Sequence, residues 1–381
     1  MSPHQTSKKI ILALCLFSLN FSAIACSAKS QVSNKIETKQ QPTIPENTTI
    51  TVSEPTKEDK AIPKYEHIFV IVEENKSYNQ IIGNPNAPNI NRLGKTYGLA
   101  THFYGEVHPS EANYIAMLGG STFGIHDDDA FYCQIGSSDQ FCHNSHKPDY
   151  VSHTITAKSL TDQLEEKGLT WKGYFEDIPT PGSKAVVAPS LSRGLYASKH
   201  NGFMNFKKVQ EDPNLPRKIV GFDQLATDLK SGNVPNYTHI ILNQCHEMHG
   251  LQECHNLQPL IKTGDNMIGK IVQEITTSKL WAASSNNAIV ITWDEDSNPR
   301  KKIGTEGCCG FEPKSNANFG GGHIATIVIT NHGSRGVVDK TPYNHYSLLR
   351  TTEDAFGIYE YLKQAGDTAK GVKPMTLLFA K

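Results

Sequence analysis

The chain has 381 residues, with 37 Lys and Arg against 38 Asp and Glu, a formal net charge of −1 and a pI near 7. That balance leaves no electrostatic footprint for nucleic acid, and 29 Gly with 20 Pro is too ordinary for a collagen-like or low-complexity chain. The length buries a large core, as one big domain or two smaller ones, and sixteen His point toward metals or acid–base chemistry.

Lys8 and Lys9 precede an apolar run from Ile10 to Ala25 that closes on the small-x-small triplet Ala23-Ile24-Ala25. This reads as a secretory signal over residues 1–25. It is too short for the ~20 residues of a spanning helix. Ala-Ile-Ala-Cys26 resembles a bacterial lipobox, so cleavage would leave Cys26 free to carry a lipid and attach the chain to a membrane. Residues 26–61, with no aromatic residue after Cys26, read as a lipid-attached or flexible polar tether. The folded body then covers residues 62–381, with no second linker and no repeat. The expected location is exported: periplasmic, membrane-anchored or secreted. In an oxidising compartment Cys133–Cys142 and Cys245–Cys254 read as small-loop disulfides. Adjacent Cys308 and Cys309 are left open.

Several apolar runs read as buried strands of a parallel sheet, with helical patterns between them. His67 to Val72 runs into Glu73-Glu74-Asn75, and Thr170 to Phe175 into Glu176-Asp177. Thr238 to Leu242 leads to Glu247-Met248-His249, and Ala288 to Trp293 to Asp294-Glu295-Asp296. Open α/β sheets place ligands beyond the carboxyl ends of their strands. Four runs delivering carboxylates, amides or imidazoles there point to one shared site.

His108 to Gly120 reads as a loop entering a helix, with Ser110 at its N-cap and Gly119-Gly120 as its stop. Free N–H groups at such an end suit phosphate. Ser110 is either a cap or, beside metal ligands, an activated nucleophile. A second helix covers Tyr346 to Phe356, and His345 before it faces the site or caps the helix. Asp127-Asp128-Asp129 reads as a solvated acidic turn in preference to a Ca²⁺ site.

The stretches IFVIVEENKSYNQIIGNPNAPNINRL, HPSEANYIAMLGGSTFGI, WKGYFEDIP, ITWDED and YNHYSLLRTTEDAFGI follow in that order between Lys64 and Ile358. Together they resemble the bacterial phosphoesterase family of the alkaline-phosphatase-like superfamily, which holds secreted acid phosphatases and non-specific phospholipases C. The chain is more similar to the smaller acid phosphatases. The resemblance implies a three-layer α/β/α sandwich with a mostly parallel central sheet. It implies Glu74 and Asn75 at a divalent metal, Ser110 as metal-bound nucleophile and Asn113 on a phosphoryl oxygen. Asp294 and Glu295 would close the metal site, and Glu247 with His249 would form an acidic-x-His element. His323 resembles the last ligand of two-metal relatives. His200, in Lys199-His200-Asn201-Gly202, would be an acid or a substrate contact. The chain departs from the family pattern at Ala112 and Gly202, where Pro is usual, and at Glu247, where Asp is usual.

The function so implied is hydrolysis of phosphomonoesters through a phosphoserine, with one or two divalent ions (Mg, Mn, Ca or Zn) and a phosphorylated small molecule or phospholipid as substrate. Oxygen ligands alone favour Mg²⁺, Mn²⁺ or Ca²⁺, and adding His249 and His323 favours Zn²⁺, Mn²⁺ or iron. A phosphodiesterase or phospholipase C would use the same nucleophile. A surface lipoprotein that only binds a ligand is the reading from another class.

Overall fold

Val-, Ile- and Phe-rich runs without polar alternation form the central strands, as burial on both faces requires. The computed structural model describes residues 62–256, 259–283, 285–297, 306–310 and 320–381. The signal segment 1–25, the Cys26 lipid site and the tether 26–61 lie outside the described residues.

The strands in chain order are β1 (His67–Glu73), β2 (Gly98–Tyr104), β3 (Trp171–Phe175), β4 (Val187–Ser190), β5 (Arg193–Ala197), β6 (Ile219–Gly221), β7 (Tyr237–Ile241), β8 (Asn287–Trp293), β9 (His323–Thr330), β10 (Val337–Asp339) and β11 (Tyr343–Asn344). Nine of them make one sheet in the order β10-β2-β9-β8-β1-β7-β3-β6, with β11 also on β2, while β4 and β5 pair as a separate hairpin. Every pairing in the large sheet is parallel except those of β9, which runs against both β2 and β8.

β7 and β8 are buried at every residue, so both faces of the sheet are covered. Two helix groups supply the cover. Pro88–Thr96 packs on Leu260–Thr276, and Glu111–Gly119 packs on His345–Ala355. The architecture is the expected α/β sandwich with a mostly parallel sheet. Among the described residues no helix is long and apolar enough to cross a membrane.

All three cysteine pairs are bridged, including adjacent Cys308–Cys309, which the sequence left open. The acidic run is not a solvated turn. Asp127 meets His153 Nε2 at 3.1 Å, and buried Asp129 accepts two N–H bonds from Asn144 at 2.8 Å. Asp128 accepts the Glu111 backbone N–H at 3.1 Å and pairs with Lys199 Nζ at 3.0 Å.

In the His345–Ala355 helix, Glu353 is fully buried and accepts the Leu362 N–H at 2.9 Å, with Gln163 as a further hydrogen-bond partner. Burial pushes its carboxyl from the ordinary 4.5 up to about 8. An acid that holds its proton more tightly when folded lowers stability as pH rises from its unfolded to its folded value. Glu353→Gln is therefore expected to raise the melting temperature at pH 8 and to change nothing near pH 4. The gain at pH 8 is on the order of 1–3 kcal/mol. Equal melting curves at both pH values would refute this.

Candidate active site

The chain leaves β1 at Glu73 and turns Glu74 into a buried pocket at the carboxyl edge of the sheet. β8 delivers Asp294 and Glu295 beside it, and the loop after β7 delivers Glu247 and His249. The loop after β2 brings His108 and Ser110. Here the backbones of residues 105, 294 and 321 touch, because a Cβ on Gly105 would sit 2.7 Å from the Asp294 carbonyl oxygen. Gly321 accepts the Asp296 N–H and donates to the Gly105 carbonyl at 2.9 Å, which fixes the Asp294–Asp296 segment against that loop.

Ser110 does not cap its helix. Its hydroxyl is buried and donates toward Glu74 Oε2 at 3.2 Å and Glu295 Oε1 at 3.4 Å. A serine held between two carboxylates, rather than on backbone N–H groups, is placed for chemistry. Glu74 Oε1 also accepts the Tyr114 hydroxyl at 2.8 Å.

His200 lies between two acids, with Nδ1 2.9 Å from Glu247 Oε1 and Nε2 3.3 Å from Glu74 Oε1. Burial, then the charges of Lys199 and His249, holds its pKa well below the ordinary imidazole range. A neutral ring has one N–H. With that proton on Nδ1 toward Glu247, the Nε2 lone pair faces a carboxylate oxygen, which is repulsive unless a cation lies between them.

Glu74, His200 and His249 each offer an atom within 4.8 Å of the others, a geometry that fits such a cation. His249 is also shifted down, chiefly by burial, and so is neutral as a ligand must be. Asp294 accepts the Asn75 N–H at 3.2 Å through Oδ1. Among the described residues no donor reaches Asp294 Oδ2 or Glu247 Oε2. Burial followed by the charge of Glu74 raises Glu247 and Asp294 well above the carboxylate range, and burial raises Glu295 to about 7. Buried acids that repel one another, beside two neutral imidazoles, fit a divalent ion.

Several residues expected at this centre have other contacts as well. Glu247 lies against His200 Nδ1 through Oε1, which orients that ring, and leaves Oε2 without a donor. Asn113 closes its own loop: its Oδ1 accepts the Glu106 and Val107 N–H groups, and its Nδ2 donates to the Val107 carbonyl at 2.8 Å. The Glu111 N–H, expected to face phosphate, is taken by Asp128. Asn75 contributes its backbone N–H, and its side-chain oxygen lies 3.5 Å from Lys76 Nζ.

His323 reaches the correct edge because β9 is reversed. Its Nε2 nevertheless meets the Thr101 carbonyl at 2.8 Å, and its ring stacks on Tyr78 at 4.4 Å. No second ligand set forms around it among the described residues. His345 neither faces the centre nor caps its helix. Asn344 caps, accepting from the Ser347 N–H, and His345 Nε2 lies 3.0 Å from the Trp293 carbonyl.

Residues 84–359 match the phosphoesterase family. The chain belongs to that family. A phosphatidylinositol-3-phosphatase of Mycobacterium tuberculosis is 26% identical over 298 residues, covering 78% of this chain and 79% of that protein. A phosphate-repressible acid phosphatase of Penicillium chrysogenum is 25% identical over 270 residues, covering 71% of this chain and 54% of that one. The chain thus spans about half the length of the Penicillium relative. A solved structure of an alkaline phosphatase superfamily protein from Vibrio parahaemolyticus is similar at 12% identity and a TM-score of 0.45, over 77% of this chain and 67% of that one.

Two residues of this phosphoesterase's centre were not singled out from the sequence. His108 places Nδ1 2.7 Å from Glu295 Oε2 and Nε2 3.3 Å from Asp296 Oδ1. Burial works against its charge, but Asp296 and Glu295 outweigh it and raise the ring to about 9. Lys199 adjoins His200 and pairs with Asp128. His108 stands two residues before Ser110, in His108-Pro109-Ser110, so its place in sequence was a usable signal.

Proposed function

We propose that this phosphoesterase is an exported, metal-dependent monoesterase of acid-phosphatase type that works through a phosphoserine on Ser110. The observation that carries this reading is the Ser110 hydroxyl turned away from its helix and onto Glu74 and Glu295. Ser110 Oγ would attack phosphorus while its proton passes to Glu295, whose other oxygen is held by His108. The P–O bond to the alcohol breaks, and the departing oxygen takes that proton back. Water then attacks the phosphoserine, gives one proton to Glu295, and the Ser110 oxygen leaves and regains it.

Glu74, His200, His249 and Asp294 would hold a divalent ion, whose positive charge lowers the serine pKa and screens the phosphoryl oxygens. Two imidazoles in the donor set favour Zn²⁺, Mn²⁺ or iron over Ca²⁺ or Mg²⁺. His200 has both nitrogens committed. It therefore orients and binds rather than protonating the leaving group. The three disulfides support export, since such bonds persist in oxidising compartments. Cleavage after Ala25 and lipid on Cys26 are the matching proposal for the N-terminus.

Turnover of p-nitrophenyl phosphate set against bis-p-nitrophenyl phosphate and phosphatidylcholine tests the substrate class. The monoester is expected to be preferred. Preference for either diester would transfer the reading to a phosphodiesterase or phospholipase C.

A further inference from the structure

We propose that Lys199 binds the substrate's phosphoryl group and sets a preference for monoester dianions over diesters, with Asp128 as its positioning residue. The inference rests on the reading of Ser110 as the attacking group.

A phosphomonoester near neutral pH carries about two negative charges, one more than a diester. The carboxylates around Ser110 repel that extra charge. Beyond what the metal offsets, a protein cation must meet it. Of the groups first expected to do so, the Glu111 N–H is taken by Asp128, and Asn113 has one of its two amide N–H donors on the Val107 carbonyl.

Two lysines remain within the field of the cluster. Lys76 points its Nζ at the Asn75 carbonyl, 3.2 Å away in its own turn. Both lysines feel the charge of Glu74, so the field does not separate them. Lys199 is held differently, across the fold on Asp128 rather than in its own turn. Its neighbour His200 reaches Glu74, which accepts from Ser110. About a quarter of its side chain is open, at 23% exposure. An ammonium has three donors, and its one ion pair among the described residues is with Asp128.

Asp128 fixes where that ammonium stands. One carboxylate oxygen takes the backbone N–H of Glu111, the residue after Ser110, and the other takes Lys199 Nζ. The carboxylate therefore ties the lysine to the start of the nucleophile's helix. A lysine held there acts on phosphate as a point charge with free donors.

The test uses the full, metal-loaded protein with p-nitrophenyl phosphate, bis-p-nitrophenyl phosphate and inorganic phosphate. Lys199→Gln is expected to lower kcat/KM for the monoester about 10- to 100-fold, the worth of a hydrogen bond to a charged group. The diester should change far less, so the monoester-to-diester ratio falls. Affinity for inorganic phosphate, measured by calorimetry, should weaken by a similar factor. Lys199→Arg should keep most of the ratio, and Asp128→Asn should raise the monoester KM more than it lowers kcat. Equal losses on both esters, or phosphate affinity unchanged in Lys199→Gln, would overturn the role of Lys199. A wild type inactive on both esters with every divalent ion would instead bring down the phosphoesterase mechanism on which the role depends.

Discussion

Ser110→Ala is expected to abolish phosphomonoester turnover, with kcat reduced by about 10⁴-fold or more, as when the nucleophile of a covalent mechanism is removed. The fold should survive. The hydroxyl makes two long contacts to carboxylates and caps nothing. Its loss leaves no buried donor unsatisfied, so the melting temperature should move by no more than a degree or two, about 0.5 kcal/mol. Acid-quenched wild type should carry a phosphoryl group on the peptide holding Ser110, and the variant should not. Turnover retained in Ser110→Ala would remove the phosphoserine route and leave direct attack by water.

Asp294→Asn should have opposite effects on stability and on metal response. In protein stripped by a chelator, Asp294 is a buried acid against Glu74 and Glu295, and its carboxyl is held well above its ordinary range. An acid raised in this way weakens the stripped fold as pH increases above the usual carboxylate values. The stripped variant should therefore melt above the stripped wild type at pH 7. Reloading should reverse the order. Wild type at a hundredfold excess of ion over its dissociation constant gains about 2.7 kcal/mol, or roughly 4 °C for a folded body of this size. The variant should gain much less and remain inactive. Identical metal-induced shifts in both proteins would take Asp294 out of the ligand set.

The strands were legible because runs such as Ile68–Val72 and Ala288–Trp293 are short, rich in β-branched residues and almost wholly apolar, as strands buried on both faces are. Their polar ends followed from topology: with parallel strands, Glu74 and Asp294 must share an edge. His323 shows what a single sequence hides. It precedes its strand, and only the antiparallel pairing of β9 brings it to that edge. Even then its ring nitrogen is claimed by a carbonyl. The contacts of Glu247 and Asn113 were hidden for a related reason. Residue type and spacing place a carboxylate or an amide near a site, but whether it faces the ion, a ligand's far nitrogen or its own loop depends on packing between segments distant in sequence. Lys199 and Asp128, 71 residues apart, meet only in the folded chain.

Lys199 and His200 are consecutive, yet one pairs with Asp128 and the other with Glu74 and Glu247. A single peptide unit would therefore span the proposed phosphate and metal sides of the centre. If the proposed ion and phosphate both bind there, their opposite charges on the two ends of that unit would make them positive heterotropic partners. Linkage then fixes an equality: whatever factor the ion adds to phosphate affinity, phosphate adds to the affinity for the ion. At limiting metal, product phosphate would hold the ion in place while competing for the serine. The two ligands would stand as a coupled equilibrium rather than as separate occupancies.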